Sequence, residues 1–243
     1  MDSFEPERLA LLITIAAIAG VVRGITGFGG AMVMSPPLAL LLGPLLAVPV
    51  VLLLESLAAA PMLFQTRVLV RWRVIGPIVA MAMLTLPFGT YILVHADALT
   101  MRRVIAGVVV LFSLLLLWGW RYTGPQRVST SAGLGALAGG MVGATSMGGP
   151  PVILYLLAGP DPIEVTRANL TFFVAAISLG GVAVLWANGV LGANGLWLAL
   201  LLAPGYYLGM VAGTRLFSRF NDQRFRRFTL IFMLTVSAGI LVA

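Results

Sequence analysis

Gly20-Val-Val-Arg-Gly-Ile-Thr-Gly-Phe-Gly-Gly30 and, further on, Gly139-Gly-Met-Val-Gly-Ala-Thr-Ser-Met-Gly-Gly149-Pro150-Pro151 interrupt two long apolar stretches, residues 9–46 and 131–158. Glycine and proline both disfavour continuous helix. In lipid, backbone that stops being helical must find protein or water partners, so such breaks line a buried cavity. Paired Gly/Pro-interrupted segments in two halves of a chain point to a binding site near the membrane midplane. The competing reading is that the glycines only let helices pack closely. Thr and double Gly at the same places in both stretches speak against packing alone.

The rest of the chain is built for a membrane. Its 243 residues are 60% hydrophobic and 9% charged, with a mean hydropathy of +1.05. Both values lie outside the soluble range. Apolar spans at roughly 48–64, 74–94, 104–120, 168–187, 196–214 and 228–243 are long enough, or nearly so, to cross about 30 Å of hydrocarbon. No soluble domain of useful size remains, which excludes a cytosolic enzyme. The net charge of +7 comes from fifteen arginines placed mainly in short loops, where they set orientation rather than bind nucleic acid. With no Cys and a single His95, no metal site, thiolate chemistry or cofactor is expected. The acidic flank before Arg8 is unlike a secretory signal, so the first apolar segment is expected to be kept. Trp72, Trp118, Trp120, Trp186 and Trp197 fall near span ends, as an interfacial belt requires.

The two broken stretches correspond. Gly20, Thr26, Gly29 and Gly30 match Gly139, Thr145, Gly148 and Gly149 at an offset of 119. Gly43-Pro44 matches Gly159-Pro160 at 116, while Gly89-Thr90 and Arg102-Arg103 match Gly213-Thr214 and Arg226-Arg227 at 124. The chain therefore reads as two diverged copies, 1–124 and 125–243. Loop 65–73 carries Arg67, Arg71 and Arg73, whereas its counterpart 186–195 carries no arginine. The positive-inside rule puts these equivalent loops on opposite faces, so the copies are inverted. The expected fold is an all-α polytopic membrane protein of eight to ten membrane segments, with two Gly-rich segments that are broken or re-entrant. Arg102 and Arg103 conflict with this scheme, because it places them on the outer side.

Two breaks meeting near a pseudo-two-fold axis present unpaired N–H groups and helix-dipole positive ends, which suit an anion. Arg23 adds a donor fork inside an apolar stretch, where the second copy has Val142. Its bland alternative is to snorkel or to cap a helix end. The candidate substrate-binding set is Arg23, Thr26, Gly27, Gly29, Gly30, Thr145, Ser146, Gly148 and Gly149. Glu55 is the one carboxylate in the interior of a clear span. Burial favours the neutral form of a carboxyl, so Glu55 is a candidate for coupling anion movement to a proton, or else pairs structurally with Arg23 or Arg167. Asn169, roughly equivalent in the second copy, is the other coupling candidate. Asp161, Glu164 and Arg167 read as a solvated turn, and Arg215, Arg219, Arg224, Arg226 and Arg227 as a cluster facing anionic lipid.

Arg-Gly-Ile-Thr-Gly-Phe-Gly-Gly30 and Gly-Ala-Thr-Ser-Met-Gly-Gly149, each opening one copy, resemble the TauE/SafE sulfite-exporter family over essentially the whole chain. The resemblance implies a multi-pass secondary transporter of the bacterial plasma membrane. It would export sulfite, a sulfonate or a related small organic anion by alternating access, in contact with membrane lipid. A passive anion channel and a carrier of a non-sulfur carboxylate are the alternatives, and a homo-oligomer is left open. Val142 opposite Arg23, and Pro150-Pro151 after the second Gly-Gly, make the two half-sites chemically unequal.

Overall fold

The computed structural model describes residues 6–120, 122–124, 126–159, 161–217 and 222–242, excluding the side chains of 60–67, 163, 217, 222–229, 232 and 242. Among the described residues there are ten α-helices, one 3-10 turn and no strand. The first five helices are α1 (Pro6–Thr26), α2 (Gly30–Leu42), α3 (Pro44–Thr66), α4 (Trp72–His95) and α5 (Ala98–Leu117). The other five are α6 (Val128–Thr145), α7 (Gly149–Leu156), α8 (Ile163–Ala187), α9 (Ala193–Phe217) and α10 (Asp222–Val242). Five are long and apolar enough to cross a membrane: α1, α4, α5, and the segments Glu164–Ala187 and Ala193–Leu216. This is a polytopic helical membrane protein.

Each broken stretch resolves into a long helix, a short non-helical link and a shorter helix. α2 has 13 residues and α7 has 8, so at about 1.5 Å per residue neither reaches across the hydrocarbon. The fifth helix starts earlier than its apolar run. Asp97 accepts the Thr100 N–H at 2.8 Å and caps it, and hydrogen bonding from the Thr100 side chain and backbone holds the exposed Asp97 carboxyl below its ordinary pKa. At its other end Gly119, with φ 69°, stops the chain before the expected 120.

Close packing rests on glycine. α1 lies along α9, and α4 along α6. A Cβ on Gly20 or Gly24 would overlap the carbonyls of Tyr206 or Met210, and one on Gly209 or Gly213 those of Ala17 or Val21. On the other pair, Gly135, Gly139 and Gly143 sit on the carbonyls of Ile78, Ala82 and Leu86, and Gly89 on that of Gly140. Spacing of four residues keeps these glycines on one face, so the backbones touch directly. Lipid supplies no hydrophobic drive between helices, which leaves this contact as the main cohesion. α3 packs on α8, and α5 on α10.

Arginines satisfy the C-terminal end of the short α2. Arg102 Nε donates to the Ala39 carbonyl at 3.1 Å, and Arg8 donates to that of Leu41. The charge of Arg102 is thus used against the negative end of a helix dipole, a local reason for an arginine at that level. Two turn readings change. Glu164 and Arg167 belong to α8 rather than to a solvated turn, and Asp161 pairs with Arg71 at the start of α4. The five tryptophans are exposed near helix ends. Arg121 and Arg219 lie outside the described residues, as do the side chains of Arg67, Arg224, Arg226 and Arg227.

Gly139 and its neighbour Gly140 give a clean test, because a Cβ on Gly140 meets nothing within 4 Å. Gly139→Ala is expected to lower the Tm of the detergent-purified protein by about 5 °C or more, as overpacking does. Gly140→Ala should leave it within about 2 °C. Equal effects of the two substitutions would contradict the packing.

Candidate anion site

The first break is set by local chemistry. Gly27 and Gly29 adopt φ of 78° and 87°, a region that side-chain-bearing residues rarely enter. Thr26 Oγ1 has two carbonyls within donating distance, that of Val22 at 2.8 Å and that of Phe28 in the link, and accepts the Phe28 N–H at 3.3 Å. The second break repeats this: Thr145 Oγ1 donates to the Met141 carbonyl at 2.7 Å and accepts from Met147 N–H at 3.4 Å. Each hydroxyl spends its one proton on backbone of its own break, the turn before it or, for Thr26, the link itself, so the two threonines shape the breaks. Ser146 takes the left-handed position in the second break, with φ 62°, and its Oγ lies 2.7 Å from Ser35 Oγ of α2. Arg167 of α8 caps the first break, its Nη2 donating to the Ile25 carbonyl at 3.4 Å.

A small cavity of about 30 Å³ lies between the breaks. Arg23, Gly29, Glu55, Ser146, Gly148 and Gly149 contribute its polar wall, and Phe28, Met32, Val142, Met147, Phe173 and Ile177 are among its apolar residues. Neither α2 nor α7 has a side-chain cap at its N-terminus, and both begin at this cavity. Their first N–H groups and dipole ends are therefore available to a bound group. α7 offers fewer of them, since Pro150 and Pro151 carry no N–H.

Arg23 and Glu55 are buried together, with Nη1 and Oε2 2.6 Å apart. Oε2 has no aligned hydrogen-bond donor despite that approach, and Arg23 Nε is buried without a partner. Tyr206 of α9 donates to Glu55 Oε1 at 2.9 Å. Gly30 makes room for the group: a Cβ there would overlap Tyr206 Oη and come within 2.5 Å of Glu55 Oε1.

The structure brings together Arg23, Glu55, Gly29, Ser146, Gly148 and Gly149 around the cavity, with Gly30 directly against the buried pair. Thr26, Gly27 and Thr145 shape its edges. Asn169 is elsewhere: its Oδ1 accepts the Arg71 N–H at 2.8 Å and its buried Nδ2 has no partner. Of the two partners weighed for Glu55, Arg23 is the one found. Sequence reasoning missed Tyr206, Ser35 and Phe173. Only Tyr206, a hydroxyl-bearing residue in Gly205-Tyr-Tyr-Leu-Gly209 within an apolar span, carried a signal. Among the described residues no group of His, Asp and Glu could hold a metal ion.

A polytopic helical protein with a buried arginine between two uncapped half-length helices has the parts of an anion transporter. The chain belongs to the sulfite exporter TauE/SafE family, whose profile matches residues 12–240. No curated protein and no solved structure matches it. The family consists of membrane transporters.

Gly30→Ala is expected to leave the protein folded, because the atoms it meets are the ends of side chains, while displacing Glu55 and Tyr206 from Arg23. Anion transport by this variant in proteoliposomes should fall about tenfold or more, as loss of one or two well-placed polar contacts does. Unchanged transport would show that the buried group is not part of the site.

Proposed function

We propose that this chain is a secondary transporter exporting a small sulfur-containing or organic anion, of the sulfite or sulfonate type, across the bacterial plasma membrane. The observation that carries the reading is Arg23, buried in the cavity between the two breaks with Nε unpartnered. A buried guanidinium with a free donor beside two helix N-termini suits an oxyanion. Ser146, its hydroxyl turned from the Thr145 carbonyl on which it now rests, and the first N–H groups of α2 and α7 complete the ligand set, Thr26, Gly27 and Thr145 hold the breaks in shape, and Gly30 keeps the space open. Glu55 is the coupling group for a proton. Asn169 lies off the cavity, and its role is to tie the loop before α4 to α8.

Alternating access follows from the duplication. Residues 1–124 and 125–243 are two inverted copies, with α2 and α7 as half-membrane, re-entrant elements. The exchange of partners supports this, since α1 packs on α9 and α6 on α4, as copies related by a two-fold axis would. Rocking of one glycine-packed pair against the other exposes the cavity to each side in turn. Single cysteines at Val68 and Gly192, in a chain otherwise free of Cys, test the inversion. A membrane-impermeant maleimide should label them from opposite sides of oriented vesicles. Labelling from one side would remove the inverted repeat.

Flux is tested in proteoliposomes with sulfite, methanesulfonate, sulfoacetate, sulfate and acetate, with and without a pH gradient. Saturable sulfite or sulfonate flux, reduced about tenfold or more by Arg23→Ala, is the expected result. Weakly saturating flux indifferent to a trans anion would identify a passive pore, and acetate carried in preference to every sulfur oxyanion would identify a carboxylate carrier.

A further inference from the structure

The cavity carries an anion of its own. Glu55 presents a carboxylate to Arg23 at 2.6 Å, in the place where a bound oxyanion would meet the guanidinium. Tyr206 holds that carboxylate by its other oxygen. We propose that Glu55 is a tethered stand-in for the substrate, which the incoming anion displaces from Arg23 as Glu55 takes up a proton, with Tyr206 as the positioning residue. This rests on the anion site described above and deepens it.

The argument is one of charge. With the site empty, Arg23 and Glu55 cancel. A monovalent anion added to that pair would leave one uncompensated negative charge enclosed within the membrane, which is costly in a medium of low dielectric. A proton on Glu55 restores neutrality. It comes from the aqueous face to which the cavity is open and adds to Oε2, the oxygen with no aligned donor, while Oε1 keeps the Tyr206 hydrogen bond. Arg23 then turns its fork to the substrate. Loaded and empty carriers are both neutral, so both cross, whereas anion without proton does not.

Among the described side chains, Arg23 and Tyr206 are the titratable groups bonded to Glu55. α2 and α6 carry none. On α8, Arg167 is turned to the Ile25 carbonyl and Glu164 is exposed in the first turn, and the cavity face offers Ser178. On α9, Tyr207 is exposed and Arg215 lies in the last turn. Arg102 of α5 is committed to α2, Arg103 lies in the first turns of α5, and Arg73 and His95 stand at the two ends of α4, where Tyr91 stacks on His95.

The test uses radiolabelled methanesulfonate, a monoanion at every working pH, with full-length protein in proteoliposomes. Wild type should show net flux accompanied by proton movement and unaffected by an imposed membrane potential. Glu55→Gln keeps the Tyr206 hydrogen bond but fixes the side chain neutral. The loaded carrier is then neutral and the empty one positive, so net flux should fall at least about tenfold further than exchange of internal for external methanesulfonate does. Tyr206→Phe removes the hydrogen bond that favours the charged carboxylate, and should move half-maximal net flux to higher pH with exchange intact. Net flux and exchange that survive equally in Glu55→Gln would overturn the proposal, as would wild-type flux that follows membrane potential. Wild type without methanesulfonate exchange would instead count against the anion site itself, and with it this inference.

Discussion

A charged pair, Arg23 and Glu55, is buried where the protein meets neither water nor lipid, and most of the surrounding architecture answers to it. Either charge alone would be expensive to enclose in a membrane protein, so each requires the other or a substitute. Bringing them together needs α1, α3 and α9 to converge on one point. Gly30 lets the α2 backbone pass beside the pair, and Tyr206 fixes the carboxylate from the far side. In the proposed function the same pair lets a chain with so few polar residues recognise an anion.

The helix breaks are the second requirement. Half-length helices leave their first N–H groups without intrahelical partners. In α2 and α7 those groups open on the cavity, while the far end of α2 is satisfied by Arg8 and Arg102. The fold therefore places positive dipole ends inside and spends arginine charge on the negative end outside. The glycine contacts between α1 and α9, and between α4 and α6, hold the frame without side chains in between. Such contacts can slide or rock with little repacking.

Much of this was legible from residue types. Gly and Pro cannot be hidden in an apolar helix, so both breaks could be placed from the sequence, and Glu55 and Arg23 stood out because charge in an apolar run is rare. Other features were not legible for definable reasons. A threonine hydroxyl near a break reads equally as ligand or as brace, and only its backbone acceptors, Val22 and Phe28 for Thr26 and Met141 for Thr145, decide. Tyr206 resembles packing until its hydroxyl is seen on Glu55. Asn169 pairs with Glu55 only at an offset of 114, outside the 116 to 124 of the matched positions, and it serves the Arg71 loop instead. Ser35 carried no signal, because a lone serine in an apolar helix is ordinary.

The most direct measurement is a crystal structure with selenite, the heavier congener of sulfite, located by its anomalous signal. A single selenium peak within hydrogen-bonding reach of Arg23, Ser146 and the first N–H groups of α2 and α7, with the Glu55 carboxyl moved off Arg23, is the predicted result. Selenium bound elsewhere while Arg23 stays on Glu55 would contradict the account.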